Sequence, residues 1–166
     1  MPQVEEQAGL PPPSLLSRTT YLAGSLARLG KARMVATLKD RGLGFPHYAV
    51  LMSLVDFGPL APHELATRLN TDRSHISTYI EELQHGGLVE RHPDPSDRRR
   101  IIVAVTVSGT EVAGDVGTAS AQVELDLLAG LAEDERIELR RLLLKVLLGT
   151  DGWPGGSPAQ ADAPSC

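Results

Sequence analysis

The sequence predicts a mainly α-helical chain with one small β-hairpin, on three observations. Apolar residues recur at helical spacing through most of the 166 residues. One stretch breaks that rhythm: Leu88, Val89 and Arg91, then Ile101–Val105, are two β-prone runs joined by Pro93, Asp94, Pro95, Ser96 and Asp97, a turn-rich tip. Glycines and prolines punctuate the helical stretches at Gly42 and Gly44, Gly58 and Pro59, and Gly86 and Gly87.

Composition bounds the answer. With 42% hydrophobic and 22% charged residues, the chain reads as one soluble globular domain large enough to bury a core. No run approaches the ~18 apolar residues that a membrane helix needs, and a proline tract stands where a signal sequence would be. A cytoplasmic protein with no membrane partner is expected. The single cysteine, Cys166, cannot form an intramolecular disulfide.

Residues 1–13, with Pro11, Pro12 and Pro13, lack an apolar period and are expected to form a disordered tail. Residues 14–41 read as one long helix, with Ser14 as its cap and a stripe of Leu15, Leu22, Leu26, Leu29, Val35 and Leu38. A small lobe cannot cover so long a stripe, so part of it should meet another chain. Gly42 and Gly44 end that helix. Phe45 and Pro46 open the next, with Pro46 in the first turn where its missing N–H has no partner to lose. Val50, Leu51, Leu54 and Val55 mark this helix as largely buried.

Two short helices are expected at residues 62–70 and 72–84, with Leu65 and Leu69, then Ile76, Ile80 and Leu83, at helical spacing. Ala61 is a poor cap for the first, whereas Thr71 and Asp72 can cap the second by accepting from its free amides. After the hairpin, Ser108 and Glu111 form an S-x-x-E capping box in front of a segment running to Leu131. Gly114 and Gly117 weaken that segment, but Val112, Val116, Val123, Leu127 and Leu128 keep a helical period. Glu133, Asp134 and Glu135 complement the dipole of a last helix that carries Leu139, Leu142, Leu143, Val146 and Leu147. It is too apolar for solvent on most faces, which favours a homodimer. From residue 149 onward the composition predicts a disordered tail, in which Trp153 is the residue able to dock back.

Helix, turn, helix and hairpin in succession suggest nucleic acid. The helix at 72–84 has an apolar back and a front of Arg73, Ser74, His75, Ser77 and Thr78. Such a helix can enter a major groove ~12 Å wide and present donors and acceptors to base edges. Arg98, Arg99 and Arg100 at the hairpin tip repel one another unless an anion is near, and a phosphate track or narrow minor groove supplies one. The net charge of -5 is unfavourable for binding DNA, and Glu81, Glu82, Glu90 and Asp94 oppose the arginines locally. Binding should therefore be strongly salt-sensitive and weak on non-specific sequence.

These residues carry a resemblance. The stretch LATRLNTDRSHISTYIEELQHGGLVERHPDPSDRRRIIVAVT from Leu65 to Thr106 resembles the MarR family of bacterial winged helix-turn-helix regulators. Leu65, Ala66, Arg68, Leu69, Asp72, Arg73, Ser74, Ser77, Leu83, Gly87, Leu88, Val89, Glu90, Arg91, Pro93, Asp94, Pro95, Asp97, Arg98, Arg99 and Thr106 fall on the family pattern. His75 and Thr78 stand where the family often has Thr and Arg, so a relative's base preference does not transfer.

The resemblance implies a winged helix-turn-helix lobe at 45–106 and dimerisation helices at 14–41 and 108–148, together one domain at 14–148 between tails at 1–13 and 149–166. It implies a homodimer in which the first long helix pairs with the partner's C-terminal helices, bound to double-stranded DNA at a palindromic operator and acting as a repressor. Asp97 would brace a neighbouring guanidinium, Arg99 would enter the minor groove with Arg98 and Arg100 beside it, and Arg68 and Arg73 would hold phosphates. Release by a small aromatic or anionic effector is implied in the crevice between dimer base and lobe, where Tyr21, Arg28, His47 and Tyr48 are the candidates. Relatives that sense oxidants or copper use cysteines in the helical body, where this chain has none.

Two other readings remain beside this one: a winged-helix protein-interaction module without specific DNA binding, which the acidic balance favours, and a metal-responsive winged-helix repressor. His47, His63, His75, His85 and His92 show no metal-ligand spacing with one another or with cysteine, so no metal site is assigned within the chain. His85 and His92 are expected to be exposed. With no nucleophile elbow and no Gly-rich phosphate loop, no enzyme activity and no cofactor are expected.

Overall fold

The structure, a computed structural model, describes residues 10–150. The expected tails fall largely outside these residues, as do Trp153 and Cys166. Among the described residues, seven helices and one hairpin follow in order: α1 (Pro13–Leu16), α2 (Thr19–Lys39), α3 (Phe45–Phe57), α4 (Pro62–Arg68), α5 (Arg73–His85), β1 (Val89–Pro93), β2 (Ile101–Val105), α6 (Val107–Leu127) and α7 (Glu133–Leu148).

The single helix expected at 14–41 is instead two. Pro13, expected in the tail, sits in the first turn of α1, where its fixed φ suits a helix start. Ser14 therefore lies inside that turn and caps nothing; its carbonyl accepts from the Ser17 hydroxyl at 3.0 Å. Arg18 is extended, and α2 starts afresh after it.

One core organises the lobe. Val50, Leu51 and Leu54 of α3, Leu65 and Ala66 of α4, and Ile76, Ile80 and Leu83 of α5 meet Val89 and Val103 of the hairpin, with Leu60 and Ala113 closing the cluster. Each fully buried aliphatic side chain here is worth about 1.5–3 kcal/mol of transfer free energy. Val55, expected inside with its neighbours, is 40% exposed on the far side of α3. A second, smaller cluster of Met34, Leu38 and Val116 joins α2 to α6, with Tyr48 packed against it. The two clusters share Leu43 and Val112 at their edges, so lobe and helical base are continuous.

β1 and β2 pair antiparallel, from Val89 opposite Val105 to Pro93 opposite Ile101. Leu60 adds a short third rung: its carbonyl accepts from the Val103 N–H at 2.8 Å, and its N–H donates to the Val103 carbonyl at 3.0 Å. The root of the hairpin is thereby fixed to the lobe. Helix α6 begins earlier than the S-x-x-E pattern predicts. Thr106 is its cap, accepting from Gly109 N–H at 3.0 Å, while its hydroxyl also donates to the Gly87 carbonyl at 2.8 Å. Ser108 is displaced from the cap because Thr106 can satisfy the helix start and the preceding glycine turn together.

Candidate nucleic-acid interface

Helix α5 carries Ile76, Ile80 and Leu83 at i, i+4 and i+7, and all three are buried on the lobe core. That spacing turns Arg73, Ser74, His75, Ser77 and Thr78 outward, and all five are exposed. The turn before α5 is tight: Asn70 takes a positive φ of 47°, and Thr71 N–H donates to the Ala66 carbonyl at 3.0 Å. Asn is among the few side chains that tolerate this region. Contrary to expectation, neither Thr71 nor Asp72 caps α5 with its side chain. Asp72 holds the cap position by backbone alone, and the Thr71 hydroxyl donates back to Leu69. The first amides of α5 are left pointing outward, an arrangement that suits an anion.

The hairpin tip at 94–100 is a closed turn. Asp94 N–H donates to the Arg100 carbonyl, and Arg100 N–H to the Asp97 carbonyl, each at 2.9 Å. The Asp94 carboxylate accepts from the Ser96 N–H at 2.8 Å and from its hydroxyl at 2.6 Å. These two bonds, chiefly the hydroxyl's, hold the Asp94 carboxyl below the ordinary carboxylate range, with Arg100 adding to the effect.

Asp97 does not brace a guanidinium. Its carboxylate accepts from the backbone N–H of Arg99 at 3.0 Å, so it sets the path of the chain and leaves the Arg99 side chain outside the turn. The carboxylate facing a guanidinium is that of Asp94, 3.9 Å from Arg100 Nε. Among the described residues no ion pair engages Arg98, Arg99 or Arg73. All three are exposed.

Arg68, at the end of α4, lays its guanidinium over the Phe57 ring at 3.9 Å. Stacking of this kind orients the planar group while its edge stays available. The lobe thus presents, on rigid supports, a polar helix front and an arginine-bearing tip.

The four candidate effector contacts are placed less coherently. Tyr21 is half-buried early in α2, and Arg28 is exposed with its guanidinium bonded to Ser25 Oγ at 2.9 Å. Tyr48 packs into the α2–α6 cluster. His47 has both ring nitrogens engaged, to Gly44 N–H and to Glu82, so neither is open to a ligand. A largely apolar hollow of about 610 Å³ opens between α2, α6 and α7, bordered by Leu26, Met34, Val123, Leu127, Leu143 and Leu147, and none of the four lines it. Among the described residues no group of three His, Cys, Asp or Glu side chains could hold a metal ion, and no helix is long and apolar enough to cross a membrane.

Comparison with known proteins places this geometry. The sequence profile of the MarR family matches residues 32–100. The HTH-type transcriptional repressor NicR of Pseudomonas putida is 31% identical over 132 residues, spanning 77% of this chain and 84% of that protein. The HTH-type transcriptional regulator MgrA of Staphylococcus aureus is 27% identical over 113 residues, 68% of this chain and 76% of its own length. Among solved structures, MarR of E. coli in its apo form superposes with a TM-score of 0.68 at 25% identity, covering 78% of this chain and 97% of that one. The PcaV transcriptional regulator of Streptomyces coelicolor, solved with its natural ligand, has a TM-score of 0.68 at 28% identity, with 82% and 96% covered.

Proposed function

This chain belongs to the MarR family of DNA-binding winged-helix transcriptional regulators, and from that premise we propose that it is a homodimeric repressor of a palindromic operator. One observation carries the reading. The exposed front of α5 and the tip arginines lie on one lobe whose core fixes both, and neither set of cations is spent on an internal carboxylate except Arg100.

In the proposed complex, α5 enters the major groove, where Arg73, Ser74, His75, Ser77 and Thr78 meet base edges and phosphates. Arg98, Arg99 and Arg100 reach the minor groove, with Asp97 shaping the turn that presents Arg99, and Arg68 holds the backbone. Residues 45–106 form the DNA-binding unit and 14–41 with 108–148 the dimerising unit. Two-fold symmetry then sets the α5 helices about 34 Å apart, one turn of duplex.

Helix α7 supports the dimer. None of its residues is buried in the single chain, and Ile137, Leu142, Leu144, Val146 and Leu148 are between 45% and 66% exposed. So many exposed apolar side chains on one helix are seldom left to water. Repression would follow from occupying a promoter, in keeping with the named role of NicR.

Release by a small aromatic or anionic molecule is the remaining arm, supported by PcaV having been solved with its ligand. Tyr21, Arg28 and Tyr48 stay candidates for its contacts. Such a molecule must prefer the lobe spacing that does not fit DNA. Thermal shift and operator release with phenolic carboxylates test this arm.

The experiment for the main reading is competition binding of the full chain to the DNA upstream of its own gene. A short palindrome should outcompete random duplex, with affinity falling steeply in salt. If no palindrome does better than random duplex, sequence-specific recognition is wrong and the protein-interaction reading takes its place.

A further inference from the structure

His75, Tyr79 and Glu82 stand at i, i+4 and i+7 on α5, so they form one ridge along the helix. His75 at its outer end is exposed beside the DNA-facing front. Its ring centre lies 6.4 Å from that of Tyr79, and the rings of Tyr79 and His47 stand nearly perpendicular with centres 5.4 Å apart. His47 belongs to the first turn of α3, 35 residues earlier than Glu82, and its Nε2 is 2.5 Å from the Glu82 carboxylate. The other ring nitrogen, Nδ1, lies 2.8 Å from the backbone N–H of Gly44.

That second bond decides the first. A backbone N–H can only donate, so Nδ1 accepts, the proton sits on Nε2, and Nε2–H donates to Glu82. The imidazole is therefore the cap of α3 and a strut to α5 at once. Gly44 follows Gly42, which has a φ of 67°, in the corner that joins α2 to α3, so the strut connects that corner to the recognition helix. The apolar back of α5 sets which face looks outward, and the His47–Glu82 bond ties the edge of that face to the α2–α3 corner.

Building on the DNA-binding reading, we infer that His47 is a positioning residue that sets the pose of α5 through Glu82 and Tyr79. The side chain at 75 then addresses the operator only when the α2–α3 corner is in place. The bond gives any shift of the helical base a direct route to the base-reading face.

Charge alone predicts the opposite sign, which makes the idea testable. Glu82 is an exposed carboxylate on the DNA-binding lobe, and its removal should strengthen binding to any duplex if charge were its only role. The strut predicts that Glu82→Ala loses about tenfold in operator affinity while random-duplex affinity is unchanged or raised, and that His47→Ala with Glu82→Ala is no worse than the poorer single variant. Glu82→Gln keeps an accepting oxygen and His47→Gln keeps one acceptor and one donor, so both should retain most operator affinity. Melting temperature and circular dichroism of every variant check folding.

Operator affinity unchanged or improved in folded Glu82→Ala, or additive losses in the double variant, would overturn the strut and leave the DNA-binding reading standing. A wild-type protein that prefers no palindrome removes that reading and the strut with it.

Discussion

Gly109 lies so close to Leu88 that a Cβ built on it would stand 2.0 Å from the Leu88 carbonyl oxygen and 2.7 Å from a methyl of Val105. The first turn of α6 is thus pressed onto the base of the hairpin with no room for a side chain, where Thr106 already ties it to Gly87. Gly109→Ala should destabilise the protein by about 3 kcal/mol, because the obstacle is backbone and cannot rotate away. Chemical denaturation measures this directly. A change under about 0.5 kcal/mol would mean that α6 can slide without cost, since ordinary surface substitutions fall in that range.

Thr106 serves the same junction by two bonds, one accepted and one donated. Thr106→Val keeps the shape and removes both, and should cost about 1–2 kcal/mol by the usual worth of a helix cap. Ser108→Ala should be nearly silent in the same assay, because its hydroxyl does not cap the helix.

The contrast between those two residues shows what the sequence could and could not reveal. The buried back of α5 was legible because Ile76, Ile80 and Leu83 repeat within a single helix, and Gly86 and Gly87 ended it as read, with Gly87 at a φ of 69°. The cap of α6 escapes the local S-x-x-E pattern because the residue that holds it, Thr106, also answers a glycine 19 residues away. In the same way the resemblance implies a guanidinium partner for Asp97, and the folded turn gives it a backbone N–H while Asp94 faces Arg100 across the tip. The His47–Glu82 contact joins two helices and has no local trace at all. The apolar character of α7 was legible as well, and in the single chain Leu139, Leu143 and Leu147 are only half-buried while Ile137, Leu142, Leu144, Val146 and Leu148 are exposed.

Arg99→Ala should weaken operator binding and reduce the slope of log affinity against log salt by about one, the signature of a lost phosphate contact. Titration of labelled operator at several salt concentrations provides both numbers. Wild-type affinity and slope in this variant would exclude the tip from the interface.

Leu144→Glu places a carboxylate on the exposed apolar surface of α7 and should weaken dimerisation by about 100-fold, roughly 2.7 kcal/mol. Sedimentation equilibrium across a concentration series detects it. An unchanged association constant would move the dimer contact away from α7.

The Asp94 carboxyl, held low by Ser96, binds a proton less readily in the folded chain than in the unfolded one. Its contribution is complete above the unfolded pKa and disappears as pH falls through the folded value. Carbon-detected titration should place the Asp94 midpoint below that of an unstructured aspartate, and the Ser96 amide resonance should shift with it. Ser96→Ala should return the midpoint toward the ordinary range.

Under the proposed dimer, a last helix with no buried residue in the single chain would make cellular abundance part of the control circuit. If α7 acquires its lining only from a second copy, the competent form grows with the square of protomer level at low expression. A gene governed in this way would be released by dilution alone, as during rapid growth, and silenced again once synthesis catches up.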